Sequence, residues 1–165
     1  MFFLLSLWVS LSGEFIADGE FYVCATPVFS ITIDVRTLSF AFSGQTAETS
    51  MGQYQVTVTN TITTLTHQVL LFSTMAAAYT TGAAIEARNV NSNSKIDLII
   101  KNTPGVNGTG GPETIKQGES IRTFTGGATA TNEAHTIEVF SAAGTLTGKP
   151  AGHYTTLLYL SLSST

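Results

Sequence analysis

The chain has 165 residues, of which 43% are apolar and only 11% are charged, and its formal net charge is −4. The low charge and the aromatic content exclude a disordered chain, and the length suffices for one domain with a sizeable core. The seven Lys and Arg residues form no basic stripe, so nucleic acid is not an expected partner. The single cysteine, Cys24, excludes an intrachain disulfide and a Cys-based zinc site.

The N-terminus begins with a near-continuous apolar run over residues 2–11. This run is too short to span a bilayer, which needs about 20 residues. We predict a signal peptide over residues 1–12, with small residues at Ser10 and Ser12 as a cleavage candidate. No Lys or Arg precedes the run, which indicates an atypical signal or a start that lies inside the true one. The alternative is that the run is an ordinary buried strand.

Short segments of alternating apolar and polar residues follow, and a period of two is typical of strands. The most regular is 29–35, which places Phe29, Ile31, Ile33 and Val35 on one face. An Ala-rich run at 75–79 is too short to predict a helix. Further strands are predicted over residues 20–25, 38–42, 52–59, 67–72, 85–90, 95–101, 114–116, 121–125 and 135–140.

The most hydrophobic strand is predicted last, over residues 152–163. It places Tyr154, Leu158, Leu160 and Leu162 on one face. Such a strand needs a central place in a sheet, because an exposed apolar edge promotes aggregation. Together the segments predict an all-β sandwich of seven to nine short strands. We expect a single domain over residues 37–165, preceded by an N-terminal extension and first strand over residues 13–36.

No catalytic, cofactor or metal site is predicted. His67, His135 and His153 lack metal-ligand spacing, and we expect them at the surface or at strand ends. The glycine-rich segment 105–111 lacks the ending of a phosphate loop and the helix that must follow it, so it is interpreted as a mobile loop. No Gly-x-Ser-x-Gly pattern is present, and the acidic residues lie in separate strands. We therefore expect no enzyme activity.

Three stretches together resemble bacterial chaperone–usher pilus subunits, most closely the archaic Csu-type or spore coat protein U group. Residues 151–162 look like the closing Gly-x-Tyr-x-Asp-x-Leu-x-Val-x-Val strand of that group, residues 137–142 are similar to its penultimate strand, and residues 36–40 resemble its Leu-x-Phe-Gly segment. Thr156 stands where Asp is usual, Ala41 stands where Gly follows Phe, and Cys24 has no downstream partner. Related pilins without disulfides, of the colonisation-factor type, are an alternative.

The resemblance implies an immunoglobulin-like sandwich that lacks one strand and is completed by a donor strand. A periplasmic chaperone fills the groove first, and the N-terminal extension of the next subunit then replaces it, giving a head-to-tail polymer. The implied partners are identical or related pilins, the chaperone and an outer-membrane usher. The implied location is the periplasm in transit and then a cell-surface fimbrium, which serves adhesion or biofilm formation.

Candidate residues for both sides of this interface follow from the alternation. The donor lies near the N-terminus, within residues 15–24 or 29–35, and its candidate side chains are Phe21, Val23, Phe29, Ile31, Ile33 and Val35. The acceptor groove would be lined by Tyr154, Leu158, Leu160 and Leu162.

Three other functions are compatible with the sequence. The main alternative is a self-complete secreted β-sandwich that binds carbohydrate or a host surface, with Tyr22, Tyr79 and Phe124 as candidate aromatic contacts. A phage or viral coat or fibre protein and a hydrolase are the others.

Overall fold

A computed structural model describes residues 9–10, 29–34, 46–60, 65–127 and 130–164. Within these ranges the chain forms eleven strands and no helix. The strands form two antiparallel sheets whose inward faces share one hydrophobic core. The predicted all-β sandwich is therefore confirmed.

The smaller sheet has four strands, and it contains the C-terminal strand. In spatial order they are β1 (Val9–Ser10), β11 (Leu158–Ser164), β4 (His67–Ser73) and β8 (Ser120–Phe124).

The larger sheet has seven strands in the order β10, β5, β6, β9, β3 and β2, with β7 paired to the far end of β6. A β-bulge between Ser50 and Gly52 interrupts the longest ladder, and Gly52 has a φ of 128° that disfavours any side chain there. The strands are β2 (Phe29–Asp34), β3 (Thr49–Asn60), β5 (Ile85–Asn89), β6 (Lys95–Thr103), β7 (Glu113–Ile115), β9 (Thr131–Ser141) and β10 (Tyr154–Thr155).

The core lies between the sheets because the strands alternate. In β3, β4 and β9, every second side chain over the central residues is buried and its neighbours are partly exposed. The largest fully buried apolar side chains come from both sheets, and they are Phe124, Leu71, Ile85, Ile96, Ile100, Ile121, Ile137, Leu160, Val56 and Val58.

The predicted C-terminal strand is two strands. Tyr154–Thr155 pairs with β5 in the larger sheet, whereas Leu158–Ser164 pairs with β4 in the smaller one. The chain changes sheets at Thr156 and Leu157. The Thr156 hydroxyl lies 2.8 Å from the Ser73 hydroxyl, and the Leu157 N–H donates to Thr74 Oγ1 at 3.2 Å. These contacts hold the crossing against the end of β4, so the prediction of one continuous strand over residues 152–163 is wrong.

Candidate assembly site

The terminal strand β11 has two edges with different pairing. On one edge all seven residues pair with β4, from Leu158 opposite Ser73 to Ser164 opposite His67. On the other edge, among the residues that the structure describes, only Tyr159 and Leu160 have partners, which are Ser10 and Val9. We call this second edge of Leu158–Ser164 the acceptor edge.

The core-facing side chains of β11 are buried unequally. Leu158 and Leu160 are 4% and 0% exposed, whereas Leu162 is only half-buried although it lies opposite the fully buried Val69. Three of the four predicted acceptor residues therefore share the inner face of one strand. The fourth, Tyr154, lies in the other sheet, where its hydroxyl donates to the Pro150 carbonyl at 2.9 Å. The sequence prediction that all four lie on one strand is wrong for Tyr154.

The outward face of β11 carries an aromatic pair. The rings of Tyr159 and Phe72 stack with centroids 5.5 Å apart and an interplanar angle of 12°. Burial, and secondarily the nearby Tyr79, raises the pKa of Tyr159. Tyr79 is 85% exposed. Phe124, in contrast, is 1% exposed and belongs to the core, so it is not a surface aromatic as the binding-module alternative requires.

The predicted donor residues divide into described and undescribed ones. Phe29, Ile31 and Ile33 lie in β2, which pairs antiparallel with β3 of the same chain. Ile31 is 5% exposed, and Ile33 packs against the core. Phe21, Val23 and Val35 lie outside the described residues, so nothing tests them. The segment that reaches the acceptor edge is Val9–Ser10, which the sequence assigned to a signal peptide with a strand as the alternative.

A buried polar cluster that the sequence did not predict lies between the two sheets. Its members are Asn102 of β6, Arg122 of β8, and Glu133 and His135 of β9. Arg122 donates to both carboxylate oxygens of Glu133, with Nε–Oε2 at 2.6 Å and Nη2–Oε1 at 2.8 Å. These hydrogen bonds lower the pKa of Glu133, which burial opposes. The Arg122 guanidinium also lies 4.0 Å from the centre of the Phe124 ring.

His135 is fully buried in this cluster, so the expectation of a surface or strand-end residue is wrong for it. Its Nδ1 lies 3.1 Å from Asn102 Oδ1, and its Nε2 lies 3.6 Å from Glu133 Oε2. His67 lies at the start of β4 as expected, but it is buried, with its Nδ1 2.7 Å from the Ser164 hydroxyl. His153 is exposed. The sequence could have indicated that His135 is buried. In β9 it alternates on the inward face, two residues after Glu133.

The glycine-rich segment at 105–111 is anchored to this cluster. The Val106 carbonyl accepts hydrogen bonds from the Thr123 N–H at 2.9 Å and from Arg122 Nη1 at 3.3 Å. Gly108 has a φ of 77°, and a Cβ there would lie 2.9 Å from Arg122 Nη2 and from Glu133 Oε2. The segment therefore packs directly over the ion pair, and only glycine fits at position 108.

The described residues offer no metal site, because no group of three or more His, Cys, Asp or Glu side chains comes together in them. Glu86 and Asp97 lie opposite each other in the β5–β6 ladder, and Lys95 lies 2.9 Å from Glu86 as its ion-pair partner. In the same part of the chain, no helix is long and apolar enough to cross a membrane. No protein-family model matches the chain, and no curated protein matches it.

Proposed function

We propose that this protein is a structural subunit of a bacterial surface pilus that polymerises by donor-strand complementation and serves adhesion or biofilm formation. The observation that supports this most is the unequal pairing of β11. A seven-residue apolar strand is paired along its whole length on one edge and at two residues on the other, within the described chain. Where backbone N–H and C=O groups along a strand edge have no partner, that edge accepts an added strand.

The half-buried Leu162 supports the same proposal. It faces the core beside the buried Leu160, yet it is incompletely covered by the residues that the structure describes. A donor strand along the acceptor edge would place its own alternate side chains next to Leu158, Leu160 and Leu162. Burial of that apolar surface supplies the driving force for assembly.

The identity and direction of β1 suggest which segment is donated. Val9–Ser10 comes from the N-terminal part of the chain and runs antiparallel to β11, so a donor here requires the strand alternative for this segment in place of a cleaved signal peptide. The same hydrogen bonds form whether the segment belongs to the same chain or to a neighbour, which is the condition for a swapped strand. When each copy donates to the next, the contact is head-to-tail and propagates into a fibre.

The proposal also implies the partners and the cellular location of the protein. The subunit would pass through the periplasm bound to a chaperone that covers the acceptor edge, and an outer-membrane usher would deliver it to a cell-surface fimbrium. It needs no enzyme activity, cofactor or metal, since the function consists of strand addition between copies.

Disulfide trapping between copies tests the proposal. In a Cys24→Ser background, chains carrying Ser10→Cys are refolded together with chains carrying Tyr159→Cys, because these two residues are direct partners across the antiparallel pair. We expect disulfide-linked dimers in the mixture and a ladder of oligomers from the double variant. The matched control combines Ser10→Cys with Ser164→Cys, which lies four residues away from the pairing and should link poorly.

The result that contradicts assembly is equally specific. If the double variant oxidises completely but stays monomeric, and the mixture of single variants gives no dimer, the N-terminal segment completes its own chain only. The protein would then be a self-complete sandwich. In that case the exposed Tyr79 next to the Phe72–Tyr159 stack is the observation that favours the carbohydrate-binding or surface-binding alternative.

A further inference from the structure

The buried polar cluster of Asn102, Arg122, Glu133 and His135 has a hydrogen-bond pattern that indicates which ring nitrogen of His135 carries the hydrogen in the neutral form. Asn102 Nδ2 donates to the Ile121 carbonyl at 2.7 Å, so Asn102 Oδ1 is the acceptor that faces the imidazole. His135 Nδ1 must therefore carry the hydrogen in the 3.1 Å contact with that oxygen. In the neutral imidazole, Nε2 then bears a lone pair, and it has no hydrogen-bond partner among the described residues.

The surroundings of Nε2 determine what a second proton would do. The groups that face His135 are the Glu133 carboxylate on its own strand, the Arg122 guanidinium from β8, the Asn102 amide from β6 and the Pro104 carbonyl. Glu133 and the Pro104 carbonyl favour the imidazolium, whereas full burial and the Arg122 cation oppose it, and burial is the largest effect. Oε2 of Glu133, the oxygen nearest to Nε2, already accepts from Arg122 Nε at 2.6 Å.

The segment 104–112, which we call the capping loop, covers the cluster. It holds Arg122 through the Val106 carbonyl, and Gly108 lies against the ion pair. Because the Pro104 carbonyl of this loop faces His135, movement of the loop would admit water to an imidazolium formed here.

We propose that the cluster is a pH-sensitive switch, in which protonation of His135 at Nε2 detaches the capping loop from the inter-sheet ion pair Arg122–Glu133. The proton comes from solvent, and no other group changes its protonation. At neutral pH the loop is closed over a neutral imidazole. On acidification the open form, in which the imidazolium reaches water, gains population relative to the closed form.

The sign of the effect follows from linkage. The folded protein lowers the pKa of His135 from its ordinary 6.5, so the open form binds the proton more readily than the closed form. The closed form therefore loses stability as the pH falls from 6.5 toward the lowered pKa. Over that window one proton changes the opening equilibrium by up to about tenfold per pH unit.

Amide hydrogen exchange on the full chain tests this switch. The reporting amides are those of Gly108, which donates to the Gly105 carbonyl at 2.8 Å, and Thr123, which donates to the Val106 carbonyl. Protection factors, corrected for intrinsic exchange, are compared between about pH 7.5 and about pH 5.5, the range in which histidine titrates. We expect a fall of up to about tenfold at both amides, and little change at the Ser73 end of the β4–β11 ladder, which lies away from His67.

Two variants make the test specific. His135→Gln removes the titrating group and should abolish the pH dependence at Gly108 and Thr123, whatever its effect on absolute stability. His153→Gln is the control, since His153 is exposed and is not a member of this cluster, and it should leave that dependence intact. The imidazole resonances of His135 in the unaltered protein provide a second measurement that does not depend on a variant.

The switch is overturned by any of the following results. Protection at Gly108 and Thr123 stays constant across the range, or it falls equally in His135→Gln, or it falls by the same factor in the β4–β11 ladder. The last result would indicate global loss of stability in place of local opening. Titration of His135 at or above 6.5 without any change in loop protection would also overturn it.

Discussion

At the scale of single residues, Arg122 is a charged side chain whose loss should clearly destabilise the fold. Its side chain is 10% exposed, and it pairs bidentately with the Glu133 carboxylate while packing on Phe124. Replacement by Met keeps much of the packing but leaves the partly buried Glu133 carboxylate, 22% exposed, without its bidentate partner. We expect Arg122→Met to lower the free energy of unfolding by about 3 kcal/mol, measured by urea denaturation.

The matched control for Arg122 is Arg88. Its side chain is 40% exposed and lies 3.9 Å from Glu86, which Lys95 also contacts. Exposed pairs of this kind contribute less than about 1 kcal/mol, so Arg88→Met should change stability little. Equal losses of unfolding free energy in the two variants would show that the pair of Arg122 with Glu133 stabilises the fold no more than an exposed pair does.

The pH dependence of stability gives a second prediction for the same ion pair. The hydrogen bonds from Arg122 lower the pKa of Glu133 below its ordinary 4.5, so its contribution is present above pH 4.5 and is lost as the pH falls through the lowered pKa. Glu133→Gln lacks that contribution at every pH. We expect urea denaturation to show the unaltered protein as the more stable one at neutral pH, with the difference shrinking toward acid. A stability difference between the two proteins that stays constant with pH would contradict the lowered pKa of Glu133.

The residue scale is also where sequence reasoning missed the most. Alternation correctly predicts that Leu158, Leu160 and Leu162 share a face, because a strand's period fixes this locally. It does not identify the cluster of Arg122, Glu133 and His135, since the partners come from different sheets. Alternation with Ile137 and Val139 places His135 on the inward face, but it does not show which polar groups from the other strands meet it there.

At the scale of elements, the terminal strand shows what local pattern can and cannot determine. Its β character and its inward face follow from the sequence, but its break at Thr156–Leu157 does not. The break depends on hydrogen bonds to Ser73 and Thr74, which lie 83 residues away along the chain. Long-range contacts of this kind leave no mark in the alternation, so the sequence predicts one strand where the chain forms two.

A pair of substitutions within β11 tests how the core is covered along it. Leu160 is fully buried, and replacement of such a leucine by alanine costs about 2–5 kcal/mol. Leu162 lies on the same face of the same strand but is half-buried, so Leu162→Ala should cost about 1 kcal/mol in the isolated chain. Urea denaturation of the two variants measures both, and equal costs would show that Leu162 is covered as completely as Leu160.

At the scale of the whole molecule, the proposed polymer requires that a strand supplied from outside stabilise the fold. We expect a synthetic peptide covering residues 15–35, the donor region predicted from the sequence, or one covering residues 2–20, which includes Val9–Ser10, to raise the melting temperature of the full chain. At 100 times its Kd, such a peptide adds about 2.7 kcal/mol, which corresponds to a shift of roughly 5–10 °C for a domain of this size.

The two peptides distinguish the donor that the sequence predicts from the segment that the structure pairs with β11. A shift with residues 2–20 alone would assign the donor to the segment around Val9–Ser10, whereas a shift with residues 15–35 alone would assign it to the region of Phe21 or Ile31. Matched control peptides carry Val9→Asp, at the register position opposite the buried Leu160, or Ile31→Asp, which replaces a buried residue, since burial of a carboxylate is unfavourable. Leu162→Asp in the full chain should reduce the shift in melting temperature, because it places a carboxylate on the strand that forms the acceptor edge. If neither peptide shifts the melting temperature and the chain stays a soluble monomer, the core is already complete and the pilus proposal fails.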